Sequence, residues 1–543
     1  MNAKRDLTSA LEAARGQRLD QATAIVRDIL QRQPDQHQAR MLLVQCLWQL
    51  GNSDGVRSEL ETLLRRARSD RSLIDQVAAL MLRLGASLQP ALLAYEAYRA
   101  KCPGSALAAF NHAWYQARDG QAEAAIESYL RAIDLGIERP EEAHLNIATV
   151  CMDQLRDSER ARRHLQQALG AHPGYAAAWF NFGNLAEQSG DLEAARSHFA
   201  RSLELEPGDL TALSRLADLH RFEEPGDPLL QRLAAAARNG RNADLSFALG
   251  RAYDQLGEYE PAWRCFEAGN GRDRERLPPY DRTATEGRFR HIIAKCNRDW
   301  LARFEGRSHA PVFICGMFRS GSTLLEQILA AHARFVAGGE SEFFPRLLAR
   351  ELPDYPAGLS AISPELAGNW RRRHAEYAVK VAADGLRLTD KRPDNFLHAG
   401  LIKAVLPSAK IIVTDRDWRD TAVSIFATRL GAGQNYALRL EDIRHYIALQ
   451  RELVDHWAEL LGPDLIRVRY EELVEDPRKV VGNLLQALGE AWDEACLSFA
   501  TVDSPVRTAS SLQVREPLYA RSVGRWRNYR PAFEAAFGSD FDP

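Results

Sequence analysis

Over the first half of the chain one spacing of small and large residues returns every 34 positions, and that periodicity constrains the fold more than any other feature. The clearest copy is 176–209, with Trp179, Phe182, Gly183, Ala186, Gly190, Ala195, Phe199 and Pro207. Moving back 34 residues to 142–175 brings Leu145, Ala148, Ala161, Leu165 and Pro173 into the same places. The unit 106–139 repeats the pattern with Gly120, Ala125, Tyr129 and Ala132, and 243–276 does so with Gly250, Tyr253, Gly257, Ala262 and Phe266. A period of this length holds two short helices and a turn, with small residues where the helices touch and large ones in the groove between neighbouring pairs. One pair cannot bury its apolar face alone, so the copies must stack.

These residues fall at the positions of tetratricopeptide repeats. Weaker copies begin near Ala3, His37 and Ser72, marked by Pro34, Gly51, Gly85 and Pro103, which makes about seven units. Between 210 and 242 the pattern is poor and Pro225, Gly226 and Pro228 interrupt it, as in a degenerate repeat with a loop. An α-solenoid presenting a surface to a protein or peptide is the functional expectation; the plainer one is a structural scaffold, including one that joins two chains as a homodimer.

At 543 residues the chain exceeds what one core serves, so further domains are expected. Residues 1–276 are assigned to the solenoid, 277–310 to a helical connector and 311–543 to a second domain. There, apolar runs at Val312–Cys315, Leu386–Asp390, Lys410–Asp415 and Leu465–Tyr470 alternate with helical patterns, as in a parallel α/β sheet. A ligand then belongs outside the C-terminal strand ends. The first run continues as PVFICGMFRSGST, 311–323, directly before the helical pattern LLEQILAAH. A glycine-containing loop opening a helix aims backbone N–H groups and the positive end of the helix dipole at one anion. Gly316 and Gly321 keep the spacing of the nucleoside-triphosphate loop G-x-x-x-x-G-K-[ST], but Ser322 stands in place of its lysine and Arg319 supplies the cation from within. That argues against an ordinary ATPase.

The loop FRSGST resembles the 5′-phosphosulfate loop of sulfotransferases, enzymes that use 3′-phosphoadenosine 5′-phosphosulfate (PAPS), and is most similar to that of the tyrosylprotein sulfotransferases. LPSAKIIVTDRDWRDTAVSI, 406–425, resembles the 3′-phosphate unit of the same family, with Arg416 and Ser424 at the matching positions. The resemblance implies an α/β, P-loop-like sulfotransferase domain after the solenoid. It implies PAPS held by Arg319, Ser320, Gly321, Ser322 and Thr323 and by Arg416 and Ser424, with adenosine 3′,5′-bisphosphate as product and no metal required. In AGGESEFFPRL, 337–347, Glu340 matches the catalytic base, with Glu342 as its rival. In TDKRPDNF, 389–396, Lys391 matches the lysine at the leaving oxygen, with Arg392 beside it. Arg319, Glu340 and Lys391 are thus the expected catalytic set. RVRYEELVEDP, 467–477, places Tyr470 on the adenine side, or else as a buried strand-end tyrosine. The segment 508–529 resembles the part that closes over the nucleotide, with Ser510 as its serine. Tyr519 stands where the animal enzymes carry a lysine, leaving Arg515 or Arg521 to serve. Arg419 is read as surface charge beside Asp415 or Asp420.

A formal net charge of −3 gives no support for a nucleic-acid binder. Seven cysteines scattered singly suit a reducing compartment. The opening residues have no signal-like apolar core, and no later stretch suits a membrane span. The expectation is a cytoplasmic enzyme with no membrane contact, unlike the membrane-anchored animal enzymes. Its acceptor would offer a hydroxyl on a protein tyrosine, a saccharide or a small metabolite. A phosphoryl transferase and an inactive nucleotide-binding scaffold are the competing readings.

Overall fold

The structure, a computed structural model, describes residues 2–67, 70–239, 242–382, 385–501 and 521–541. The chain forms two compact units, Met1–Leu185 with Glu204–Glu206, and Ala186–Leu203 with Pro207–Pro543. In the first lie the helix pairs α1 (Asn2–Arg15) and α2 (Leu19–Arg32), α3 (His37–Gln49) and α4 (Ser53–Ala67), α5 (Arg71–Arg83) and α6 (Gln89–Lys101), α7 (Ala106–Arg118) and α8 (Ala122–Asp134), and α9 (Pro140–Val150) and α10 (Ser158–Ala171). Ala125 and Ala161, small by the repeat pattern, are fully buried between their helices. Gly120, at φ +81, reverses the chain from α7 into α8. The repeat at 142–175 has Arg156 where that glycine belongs; Arg156 takes the left-handed φ of +57, and the turn before it, Cys151–Leu155, winds as a π-helix.

The pair α11 (Ala176–Ser189) and α12 (Leu192–Leu205) spans the division. The second unit continues with α13 (Leu210–Leu219) and α14 (Pro228–Asn239), so the interrupted stretch does form a helix pair. A loop between them is held by His220 Nε2 and Asp227 Oδ2 at 2.7 Å. Next come α15 (Ala243–Gln255) and α16 (Tyr259–Arg276), which touch where a Cβ on Gly250 would fall 2.4 Å from the Phe266 ring. The stretch 277–310 carries α17 (Arg282–Lys295) and α18 (Arg298–Leu301). It is more than a link: Phe289, Ile292, Cys296 and Trp300 are buried in the core of the sheet domain.

That sheet has five parallel strands, β1 (Val312–Gly316), β2 (Phe335–Ala337), β3 (Arg387–Lys391), β4 (Lys410–Asp415) and β5 (Leu465–Arg469), in the order β2-β3-β1-β4-β5. β1 is central and wholly buried, as its unbroken apolar run requires. Phe313 and Cys315 face a core with Phe396, Leu401 and Trp457; Val312 and Ile314 face another with Leu325, Ile328 and Leu484. From β1 the chain turns to β2 on one side and, after β3, to β4 on the other. The C-terminal end of β1 is therefore the topological switch point, where open α/β sheets bind ligands.

The helix after β4, α23 (Trp418–Phe426), packs against the last repeat pair. The other helices around the sheet are α19 (Ser322–Ala330), α20 (Phe343–Glu351), α21 (Pro364–Val381), α22 (Ala399–Val405), α24 (Leu440–Leu461), α25 (Tyr470–Glu475), α26 (Pro477–Leu488) and α27 (Arg530–Phe537). Asn270 donates to the Phe426 carbonyl at 2.9 Å and Trp263 stacks on the Phe426 ring at 4.5 Å. Arg429 grips both Asp273 oxygens at 2.8 Å and Asp244 at 2.9 Å. Because the Asp273 side chain is only 6% exposed, Arg429→Ala strands a buried carboxylate and should cost about 3 kcal/mol, read as a lower urea midpoint. A midpoint equal to wild type would show that the clamp contributes nothing.

Candidate functional site

The anion loop is set by two glycines. Gly316 ends β1 at φ +146, and a Cβ there would lie 2.4 Å from the Thr414 carbonyl oxygen. Gly321 caps α19 at φ +101, and its Cβ would lie 2.7 Å from the Tyr470 ring. Among the described residues no side chain caps α19, whose N-terminus opens directly from the loop at Ser322. The Ser320 hydroxyl donates to the Met317 carbonyl at 2.6 Å and lies 2.7 Å from Thr414 Oγ1, bracing the loop on β4.

Three of the predicted nucleotide residues meet beside this loop. Arg319, at φ +69, donates from Nε to Ser424 Oγ at 3.0 Å. Arg416, directly after β4, donates to the Arg319 carbonyl at 3.0 Å and the Ser522 carbonyl at 2.5 Å. Its guanidinium carbon stands 4.7 Å from the centre of the Tyr470 ring, and its buried Nε has no hydrogen-bond partner among the described residues. Tyr470 is thus a wedge between Gly321 and Arg416. Asp420 accepts the Gly524 N–H at 2.6 Å and the Trp526 N–H at 2.8 Å, so the described end of the 508–529 segment is tied to α23. Ser510, Arg515 and Tyr519 lie outside the described residues. Arg419 pairs with Asp417 at 2.7 Å rather than with Asp415 or Asp420, and lies 4.2 Å over Trp526.

On the other side of β1, Lys391 Nζ donates to Glu340 Oε1 at 2.6 Å. The lysine side chain is 1% exposed and the glutamate 38%. The two rivals, Arg392 and Glu342, pair with each other at 2.8 Å. The backbone keeps these pairs apart: Lys391 N–H donates to the Gly339 carbonyl, and Arg392 N–H to that of Ile314 on β1. Register places Lys391 opposite Ile314 and Thr414 opposite Gly316, so both clusters stand at the same C-terminal edge of the sheet.

Sequence reasoning missed Glu326, Thr414, Asp390 and Asp420. Glu326 sat in an amphipathic helical run whose buried face cannot be told from its exposed one by a single glutamate. Asp390 lies wholly buried beside Asn395 Nδ2 at 3.0 Å, and burial pushes its carboxyl up to about 7. Among the described residues no cluster of three or more metal-ligating side chains occurs, and no helix is long and apolar enough to cross a membrane.

Residues 311–494, the stretch that holds both clusters, match the sulfotransferase family; 13–81 and 153–209 match tetratricopeptide repeats. The chain carries a sulfotransferase domain behind tetratricopeptide repeats. An uncharacterized protein of Aquifex aeolicus is 26% identical over 382 residues, which is 67% of this chain and 50% of the relative. A protein-tyrosine sulfotransferase of Drosophila melanogaster is 25% identical over 235 residues, 40% of this chain and 46% of the relative. The chain thus spans about half the length of these curated relatives. The solved sulfotransferase domain of the Synechococcus PCC 7002 olefin synthase covers 43% of this chain and 96% of its own, at 19% identity and a TM-score of 0.31. Within the sulfotransferase domain, the loop, Arg416, Ser424, Glu340 and Lys391 all fall inside the matched residues.

Proposed function

We propose that the protein transfers the sulfuryl group of PAPS to an acceptor hydroxyl, and the observation that carries this is the pairing of buried Lys391 with the half-exposed Glu340 beside an anion loop that lacks the usual lysine. The cradle suits a bisphosphorylated nucleotide. Gly316 and Gly321 let the loop pack closely on Thr414 and Tyr470, α19 opens directly from the loop, and among the described residues the buried Arg416 Nε has a donor to give. Arg319 and Ser424, already in contact, join the two phosphate sites into one.

In this reading Glu340 accepts the proton of the acceptor hydroxyl and the new S–O bond forms. Lys391 meets the charge that grows on the leaving phosphate oxygen as the old S–O bond breaks. Glu340 is exposed enough to reach an acceptor, while Lys391 is too enclosed to serve water. The repeats would bind a protein or peptide, in the domain layout 1–276, 277–310 and 311–543. Unpaired cysteines fit a cytoplasmic setting. The acceptor class is a protein tyrosine, a saccharide or a small metabolite.

Calorimetric titration with adenosine 3′,5′-bisphosphate, and separately with ATP and Mg²⁺, tests the donor. Bisphosphate binding that does not depend on Mg²⁺ is expected, weakened about tenfold or more by Arg319→Ala. Preference for ATP with Mg²⁺ would overturn the proposal in favour of a phosphoryl transferase.

A further inference from the structure

Behind the Glu340 loop sits a carboxylate to which sulfuryl transfer, as outlined, gives no task. Glu326, on α19, is 3% exposed. Its Oε1 accepts the Gly339 N–H and the Thr389 hydroxyl, each at 3.0 Å. Both partners adjoin the reacting pair: Gly339 precedes Glu340, and Thr389 lies two residues before Lys391, on the same face of β3. Burial pushes the Glu326 carboxyl up, and the Lys391 ammonium, the Thr389 hydroxyl and the Gly339 N–H offset only part of that rise, to which Glu340 adds. A glutamate this deep is rare unless something charged answers it.

The cation that shares these partners is Lys391: it lies on the face of β3 that carries Thr389, and its backbone N–H donates to the Gly339 carbonyl. A buried ammonium left without an anion is strongly destabilising, and its contact anion is Glu340. The reaction removes that anion. When Glu340 takes the acceptor proton it becomes neutral, at the moment the lysine must stay charged to meet the leaving oxygen. We propose that Glu326 is a positioning residue and standing counter-ion. It keeps Lys391 charged through the step in which Glu340 is neutralised, and it ties the base loop to the helix of the anion loop. The inference rests on the proposed sulfuryl transfer. Counting formal charges, two carboxylates and one ammonium give −1 before proton transfer, and one of each gives 0 after it. Without Glu326 the same three positions would run from 0 to +1, with the leaving oxygen alone to answer the buried ammonium.

Two substitutions separate this role from simple packing. Glu340→Gln imitates the protonated base, and Glu326→Gln keeps an oxygen for Gly339 and Thr389 while removing the charge. Thermal unfolding without ligand should show each single variant mildly shifted. The double variant should fall several degrees beyond their sum, because Lys391 then has no carboxylate. Adding Lys391→Met should recover most of that loss. Titration with adenosine 3′,5′-bisphosphate should show Glu340→Gln close to wild type and the double variant about tenfold weaker or worse. Additive shifts would overturn the counter-ion role. So would a double variant that stays unfolded when Lys391→Met is added. Failure of the wild type to bind bisphosphate would instead sink the sulfuryl-transfer reading, and the unfolding cycle would still report on Glu326.

Discussion

Glu340→Gln should lower sulfuryl transfer by about 10²- to 10⁴-fold, while Glu342→Gln leaves it close to wild type. The two glutamates are two residues apart in the sequence, yet their surroundings differ in kind. Glu340 has one oxygen held at 2.6 Å by an enclosed lysine and is open enough to meet an acceptor. The Glu342 side chain is 56% exposed and is occupied by Arg392. Single-turnover transfer from radiolabelled PAPS, with bisphosphate affinity measured alongside, checks the assignment. Equal losses in the two variants, or a loss in Glu340→Gln matched by lost affinity, would count against Glu340 as the base.

Gly316→Ala should be the most damaging single methyl in the sulfotransferase domain. The new Cβ would sit 2.4 Å from the Thr414 carbonyl oxygen, 2.6 Å from its hydroxyl and 2.9 Å from Ser320 Oγ, at a φ of +146 that alanine rarely adopts. These are the atoms that pair β1 with β4 and brace the loop, so no flexible side chain can yield. Overpacking and backbone strain together should cost about 3–5 kcal/mol, a large share of a domain's stability. Gly339→Ala is the contrast: φ is +61 with no atom within 4 Å, so only about 1–2 kcal/mol of backbone strain is expected. Urea unfolding of the two variants measures the difference. Similar midpoints would mean that β1 and β4 can move apart at Gly316 without loss.

The repeats were legible because their signal is redundant: Ala125, Ala161 and Gly250 each mark a helix contact, and the period places the next. β1 and β4 announced themselves as unbroken apolar runs. β2, Phe335–Ala337, did not, since three residues carry no period to read. In the site, Arg319, Arg416 and Ser424 do come together, and Glu340 meets Lys391, because loop motifs fix spacing locally. Other roles depended on contacts across the fold. The Ser320 hydroxyl turned to Thr414, 94 residues away, and Glu326 was placed by residues from two other elements. A one-dimensional pattern does not show which distant residues a loop serine braces against. The part assigned to 277–310 proved to carry core residues, since Trp300 and Phe289 gave no repeat for their burial to show in.

The grip of Asn270, Trp263 and Asp273 on α23 and Arg429 bears on inheritance. A recombination that joined a foreign repeat array at residue 276 would strip the helix carrying Ser424 of its neighbour and leave Phe426 and Arg429 facing the wrong surface. One that joined upstream of residue 186 would leave every one of these contacts whole. Exchanging repeats at the front of the chain would therefore leave these contacts untouched, while exchanging the last pair would break them.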